Sequence, residues 1–141
     1  MNDHFPIQSL EVAGTYKAFP PVVRSKLLDI RNLIYTIATS NEAIGNIEEC
    51  LKWNQVSYLT KSPKSGTTIR LGYKPQTSQY AIYVPCTTTL IEDTKEMAPQ
   101  GFSYEKNRAL LFNVDAELPI PLMSEFLFRA LTYHKQKRKN L

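Results

Sequence analysis

No stretch of this sequence approaches the roughly 18 consecutive apolar residues that a membrane span requires. Residues 1–19 carry Asp3 and Glu11 and no apolar block, so they do not read as a secretory signal. Cysteine is nearly missing. Cys50 and Cys86 are the two in 141 residues, and their spacing fits neither a disulfide framework nor a zinc pattern. Both are expected to be free thiols, and the cytoplasm is the expected location. Histidine is as scarce, with only His4 and His134. His4 falls in an N-terminal arm, and His134 reads as a favourable group near a helix C-terminus. The five glycines form no GxGxxG and no P-loop, and the GxSxG and HExxH signatures are absent. These gaps disfavour the common nucleotide-cradling and hydrolytic designs, and they leave an enzyme the less expected class.

Charge of one sign is also short in the body of the chain. The formal net charge is +4, yet Lys135, Lys137, Arg138 and Lys139 crowd the last seven residues, and the rest is neutral. A neutral body with a basic tail is no phosphate-neutralising surface, so nucleic acid is not the expected partner. The composition, 43% hydrophobic and 21% charged, suits one globular domain. The chain is expected to divide into an arm (1–18), an α+β domain (19–134) and a basic tail (135–141).

The patterning is clear in several places. Val23, Leu27, Ile30, Ile34 and Ile37 recur at helical spacing behind Pro21, which suits a first turn. Ile47, Leu51 and Trp53 share one parity in an extended run over 47–53, and a second run covers 56–58. Ile69, Leu71 and Tyr73 alternate with Thr68, Arg70 and Gly72; after a turn at 74–78, Tyr80, Ile82 and Val84 alternate with Ala81 and Tyr83. Thr89 and Glu92 have capping-box spacing ahead of a short helix to about residue 98. Strands are predicted over 102–105 and 109–114. A last helix from about residue 121 carries Met123, Leu127, Ala130 and His134 on one stripe. Together these predict a single α+β domain, with an antiparallel sheet of about five to six strands, the N- and C-terminal helices packed on one face, and one short additional helix.

Three kinds of chemistry are open to such a chain. Aromatic residues gather on the strands, and Trp53, Tyr58, Arg70, Tyr73 and Tyr83 are expected to line a half-apolar pocket on the face away from the helices, for a small ligand or a protein partner. The run Pro85-Cys86-Thr87-Thr88-Thr89 leads from a strand into a helix. Thr87 and Thr88 are candidate ligand contacts there, and Cys86 is the candidate nucleophile of an alternative, cysteine-dependent enzyme. Glu92 and Glu96 form the best-spaced acidic pair for a hard cation, although no cofactor is required by the pattern.

The segment Glu48-Glu49-Cys50-Leu51-Lys52-Trp53-Asn54-Gln55-Val56-Ser57-Tyr58, the helix start Phe19-Pro20, Gly72-Tyr73, Leu110-Leu111-Phe112 and Leu118-Pro119-Ile120-Pro121-Leu122 resemble the YdhG-like family from about residue 19 to 138. The resemblance implies an α+β fold with an antiparallel sheet and brings no catalytic residues. Because that family includes proteins described as frataxin-like intracellular iron chaperones, it also implies iron delivery as an alternative function.

Overall fold

The computed structural model describes residues 5–139, with side chains through residue 136; His4 and the side chains of Lys137, Arg138 and Lys139 lie outside that range. The chain runs α1 (Leu10–Ala18), α2 (Pro21–Thr39), β1 (Ile47–Lys52), β2 (Gln55–Thr60), β3 (Ile69–Lys74), β4 (Gln79–Tyr83), α3 (Leu90–Met97), β5 (Ser103–Glu105), β6 (Ala109–Asn113), α4 (Ile120–Leu131) and α5 (Tyr133–Lys139). All strand pairs are antiparallel, in the order β1-β2-β3-β4-β6-β5. This is the α+β class expected from the patterning, with a six-stranded sheet.

The stripe on α2 buries Val23, Leu27, Ile30, Ile34 and Ala38. On α4 the buried set is Met123, Phe126, Leu127, Ala130 and Leu131, and the two helices pack together. Their partners on the sheet are Val56, Tyr58, Ile69, Leu71, Tyr80, Ile82, Leu110 and Phe112, every one buried. Residues opposed across an antiparallel ladder point to the same face. The pairs Val56↔Leu71, Leu71↔Ile82 and Ile82↔Leu110 therefore put this whole set on the helix side. Burying each such aliphatic side chain contributes about 1.5–3 kcal/mol.

Three local expectations need correction. Residues 10–18, read as part of an arm, form α1, capped by Ser9 Oγ accepting from Val12 N at 3.2 Å, and bury Val12 and Tyr16 in the core. Thr89 makes no capping bond at α3: its backbone (φ −95°, ψ 9°) is not the extended one of an N-cap, and its hydroxyl donates to Asp93 Oδ2 at 3.0 Å. The last helix is broken at Thr132, and its continuation α5 takes in the start of the supposed tail.

That break is built by the loop before β3. The Ala130 carbonyl accepts from Thr67 N at 2.9 Å, and the Leu131 carbonyl accepts from Ser65 Oγ at 3.1 Å. The Ser65 carbonyl in turn accepts from the His134 and Lys135 amides at 2.9 and 3.1 Å. Helix-end groups that would otherwise be orphaned are thus satisfied by one inserted loop. Gly66 permits the approach, since a Cβ there would collide with the Leu131 carbonyl.

Candidate functional site

Strand parity separates the residues that the sequence had grouped. Tyr58 opposes Ile69, and Tyr73 opposes Tyr80, so both tyrosines face the helices; Tyr58 is fully buried. Tyr58 belongs to the core and Tyr73 packs half-buried against it, because the pleat alternates sides and their parity is that of Val56 and Leu71. Trp53 lies outside the strands. With Asn54 it forms the two-residue turn between β1 and β2, both at positive φ (55° and 62°), and the residue is 83% exposed. Arg70 and Tyr83, by contrast, are directly opposed neighbours on the face that no helix covers.

The register places these two in a row that crosses the whole sheet: Cys50, Ser57, Arg70, Tyr83, Ala109 and Glu105, one from each strand. An adjacent row runs from Gly72 through Ala81 and Leu111 to Ser103. Ser57, Gly72, Ala81 and Ala109 are small and buried beneath their neighbours. Half-buried Gln55, Arg70, Tyr83 and Leu111 stand around them. A Cβ added to Gly72 would meet Gln55 Nε2 and Tyr83 Cε2, each at 3.0 Å. Two long side chains therefore lean across the glycine, and the centre of the face is a low floor with a polar and aromatic rim.

The electrostatics of this face are uneven. Its carboxylates are engaged: Glu48 pairs with Lys61 at 3.0 Å, and Glu105 pairs with Lys74 at 3.1 Å and Arg108 at 3.8 Å. Arg70 has no hydrogen-bond or salt-bridge partner among the described residues, and its Nε is buried with no acceptor. The Ser57 hydroxyl donates to the Gln55 carbonyl at 3.0 Å, which leaves its oxygen free to accept.

The helix side holds a second polar cluster, which the sequence reading missed. Arg31, on α2, donates from Nε and Nη2 to the Glu49 carboxylate at 2.5 and 3.1 Å, and from Nη1 to the Phe5 carbonyl. Tyr58 donates to Glu49 at 2.8 Å, and its hydroxyl lies 2.5 Å from that of Tyr16. Burial pushes both phenols well above their usual range, as the charge of Glu49 also does. For Arg31, burial acts against the charge, but the Glu49 hydrogen bond and charge outweigh it and hold the guanidinium protonated. The cluster ties α1, α2, β1, β2 and the N-terminal segment together. A groove of about 670 Å³ lies beside it, between residues 5–7 and α2, and its Arg24 and Arg31 are already bonded to backbone carbonyls or to Glu49.

A crystal structure of YdhG from Bacillus subtilis, a protein of the DUF1801 family, matches this chain with a TM-score of 0.60 over 91% of this chain and 90% of that one. The fold is YdhG-like. The two sequences are 14% identical, so the likeness speaks for architecture alone. No protein-family model and no curated protein matches the sequence.

Within the YdhG-like fold, the remaining candidates lie apart from the open face. Cys86 is exposed and has no hydrogen-bonded base among the described residues. Thr88 is buried, with its hydroxyl donating to the Pro85 carbonyl at 2.9 Å, while Thr87 lines a cleft of about 250 Å³ with Asp93, Arg129 and Tyr133. Glu92 and Glu96 are exposed on α3, and no three His, Cys, Asp or Glu side chains gather among the described residues. The residues of the open face that sequence reasoning missed are Gln55, Ser57, Ala81, Ala109 and Leu111. One signal for them was present: a glycine inside a strand often marks a close approach, and Gly72 shares its parity with Arg70.

Proposed function

We propose that this domain is a non-enzymatic binding module whose site is the open face of the sheet, and that its ligand is a small molecule. The observation that carries the reading is the floor of Ser57, Gly72, Ala81 and Ala109, rimmed by Gln55, Arg70, Tyr83 and Leu111. These small residues are covered by the longer side chains around them, so a ligand reaches the floor where Gln55, Arg70 or Tyr83 moves aside. A flat body fits such a floor, with Tyr83 as an edge or stacking partner. The mixed rim favours a small ligand over a stable protein partner, because an interface core wants a contiguous apolar, charge-depleted patch. The same face carries Lys74, Gln79 and Glu105.

The test is a thermal-shift screen of the purified chain against organic anions, nucleotides and metabolites, since a ligand that prefers the native state raises its apparent stability. At a ligand concentration of 100 times Kd the gain is about 2.7 kcal/mol. The expected result is a shift abolished by Gly72→Leu, a side chain that would occupy the floor while the flexible ends of Gln55 and Tyr83 swing aside. A ligand whose shift survives Gly72→Leu, and is lost instead on changing a residue of the helix-covered side, would sink the assignment.

A further inference from the structure

We infer that the ligand of the open face carries an oxyanion, a carboxylate or a phosphate, and that Arg70 is the residue that recognises it. This rests on the open face being the binding site. The Arg70 guanidinium lacks a partner among the described residues. Both neighbouring carboxylates on its face are spoken for, Glu48 by Lys61 and Glu105 by Lys74 and Arg108. Arg31, Lys74, Arg108 and Arg129 all have carboxylate partners, whereas Arg70 has none among the described residues. A guanidinium is a planar fork of five donors suited to paired oxygens.

The second observation is the state of Nε. It is buried and bonded to nothing, so the resting side chain lies against the floor with one donor stripped of water. An orphaned buried donor is a standing penalty. If the guanidinium lifts from the floor, Nε and one Nη can face a single oxyanion side by side, and that penalty is relieved as two charge-assisted hydrogen bonds form. The ligand-free geometry is in this way biased towards a bound one. Tyr83, directly opposed to Arg70, adds a hydroxyl at the rim, and half-buried Leu111 on the same face offers apolar surface for the rest of a flat ligand, whereas Ser57, opposed to Arg70 on the other side, is fully buried with its proton given to the Gln55 carbonyl.

The test titrates the folded chain, followed by amide NMR shifts, with benzoate, phenyl phosphate and neutral benzamide as flat probes of equal ring size. The expected result is binding of one or both anions, with shifts centred on 57, 70, 72, 81 and 83, and at least about tenfold weaker binding of benzamide. Preference between benzoate and phenyl phosphate then assigns the oxyanion. Arg70→Met should remove the anion preference, and Arg70→Lys should restore only part of it, because an ammonium keeps the charge and loses the fork. Equal binding of all three probes at this face would overturn the role of Arg70 and leave the open-face module standing. Binding of none of them, or shifts confined to the helix side, would overturn both.

Discussion

Replacing Glu49 by leucine would leave the Arg31 guanidinium, on a side chain only 7% exposed, without its anionic partner. Breaking a buried pair from one side costs about 3–5 kcal/mol, because the remaining charge stays desolvated. Arg31→Met should cost a similar amount, since the Glu49 carboxylate, whose side chain is 7% exposed, would keep only the Tyr58 hydroxyl. The double variant removes both charges. Tyr58 then still has the Tyr16 hydroxyl 2.5 Å away, and the Phe5 carbonyl sits in an only partly buried segment where water can reach it. Its loss should be no more than about 1–2 kcal/mol, as for other buried pairs replaced by apolar groups. Urea unfolding of the four proteins gives a coupling energy directly, and the structure requires it to exceed about 2 kcal/mol. In thermal melts each single variant should fall by roughly 10–20 °C for a chain of this size. Two single losses that simply add to give the double would show that water reaches the pair and that the cluster does not fasten α1 and α2 to the sheet.

Other expectations follow from the same geometry. Tyr80 is pushed up to about 12 by burial and by the charge of Asp29, against 10.0 for a free phenol, and Tyr16 and Tyr58 are raised by burial as well. A raised folded pKa stabilises the native state fully below the unfolded value, so this contribution should vanish as pH climbs from 10 towards about 12; a urea midpoint that stays flat across that window would refute it. Gly66→Ala should cost at least about 2 kcal/mol by driving a methyl into the Leu131 carbonyl. Gly14→Ala in α1 meets nothing within 4 Å and should gain about 0.5–1 kcal/mol; paired melts that rank these two variants the other way round would contradict the loop insertion at the end of α4. Exposed Cys86 should react with a thiol reagent faster than half-buried Cys50, as mass spectrometry of the labelled chain would report.

The parts of the fold that depend on local periodicity were legible in the sequence. The α2 stripe, the β3–β4 hairpin and the strand now called β6 all declare themselves, because each buries one face and alternation or helical spacing records it directly. What failed was long-range or compensated. Arg31 sits on the buried side of α2 and breaks the apolar pattern there, and only the arrival of Glu49 from β1 explains it. Glu48 and Glu49 are neighbours in β1 and so turn to opposite faces of the sheet. Nothing local, however, says which of the two turns inward. α1 escaped notice for a related reason: its buried residues are few, Val12 and Tyr16, while Leu10 is almost fully exposed, so no stripe stands out.

The site was half legible, and the reason lies in the pleat. Tyr58 and Arg70 are equally plausible strand residues in sequence, yet Tyr58 opposes Ile69 while Arg70 opposes Ser57, and a shift of one residue would exchange their faces. Register thus decides which residues hold the fold and which remain for a ligand. On β2, the neighbours Ser57 and Tyr58 belong to the open floor and to the Arg31–Glu49 cluster; on β3, Arg70 and Leu71 divide in the same way. Because the helices cover one side only, substitutions at Arg70 or Tyr83 have little core packing to lose and should act on binding, whereas those at Tyr58 or Leu71 must act on stability. Two adjacent positions in one strand with opposite consequences, stability for one and ligand affinity for the other, are what a sheet with one working face requires. Paired melts and titrations of Arg70→Met and Leu71→Ala would expose any exception, and a large stability loss at Arg70 with none at Leu71 would reverse the assignment of the two faces.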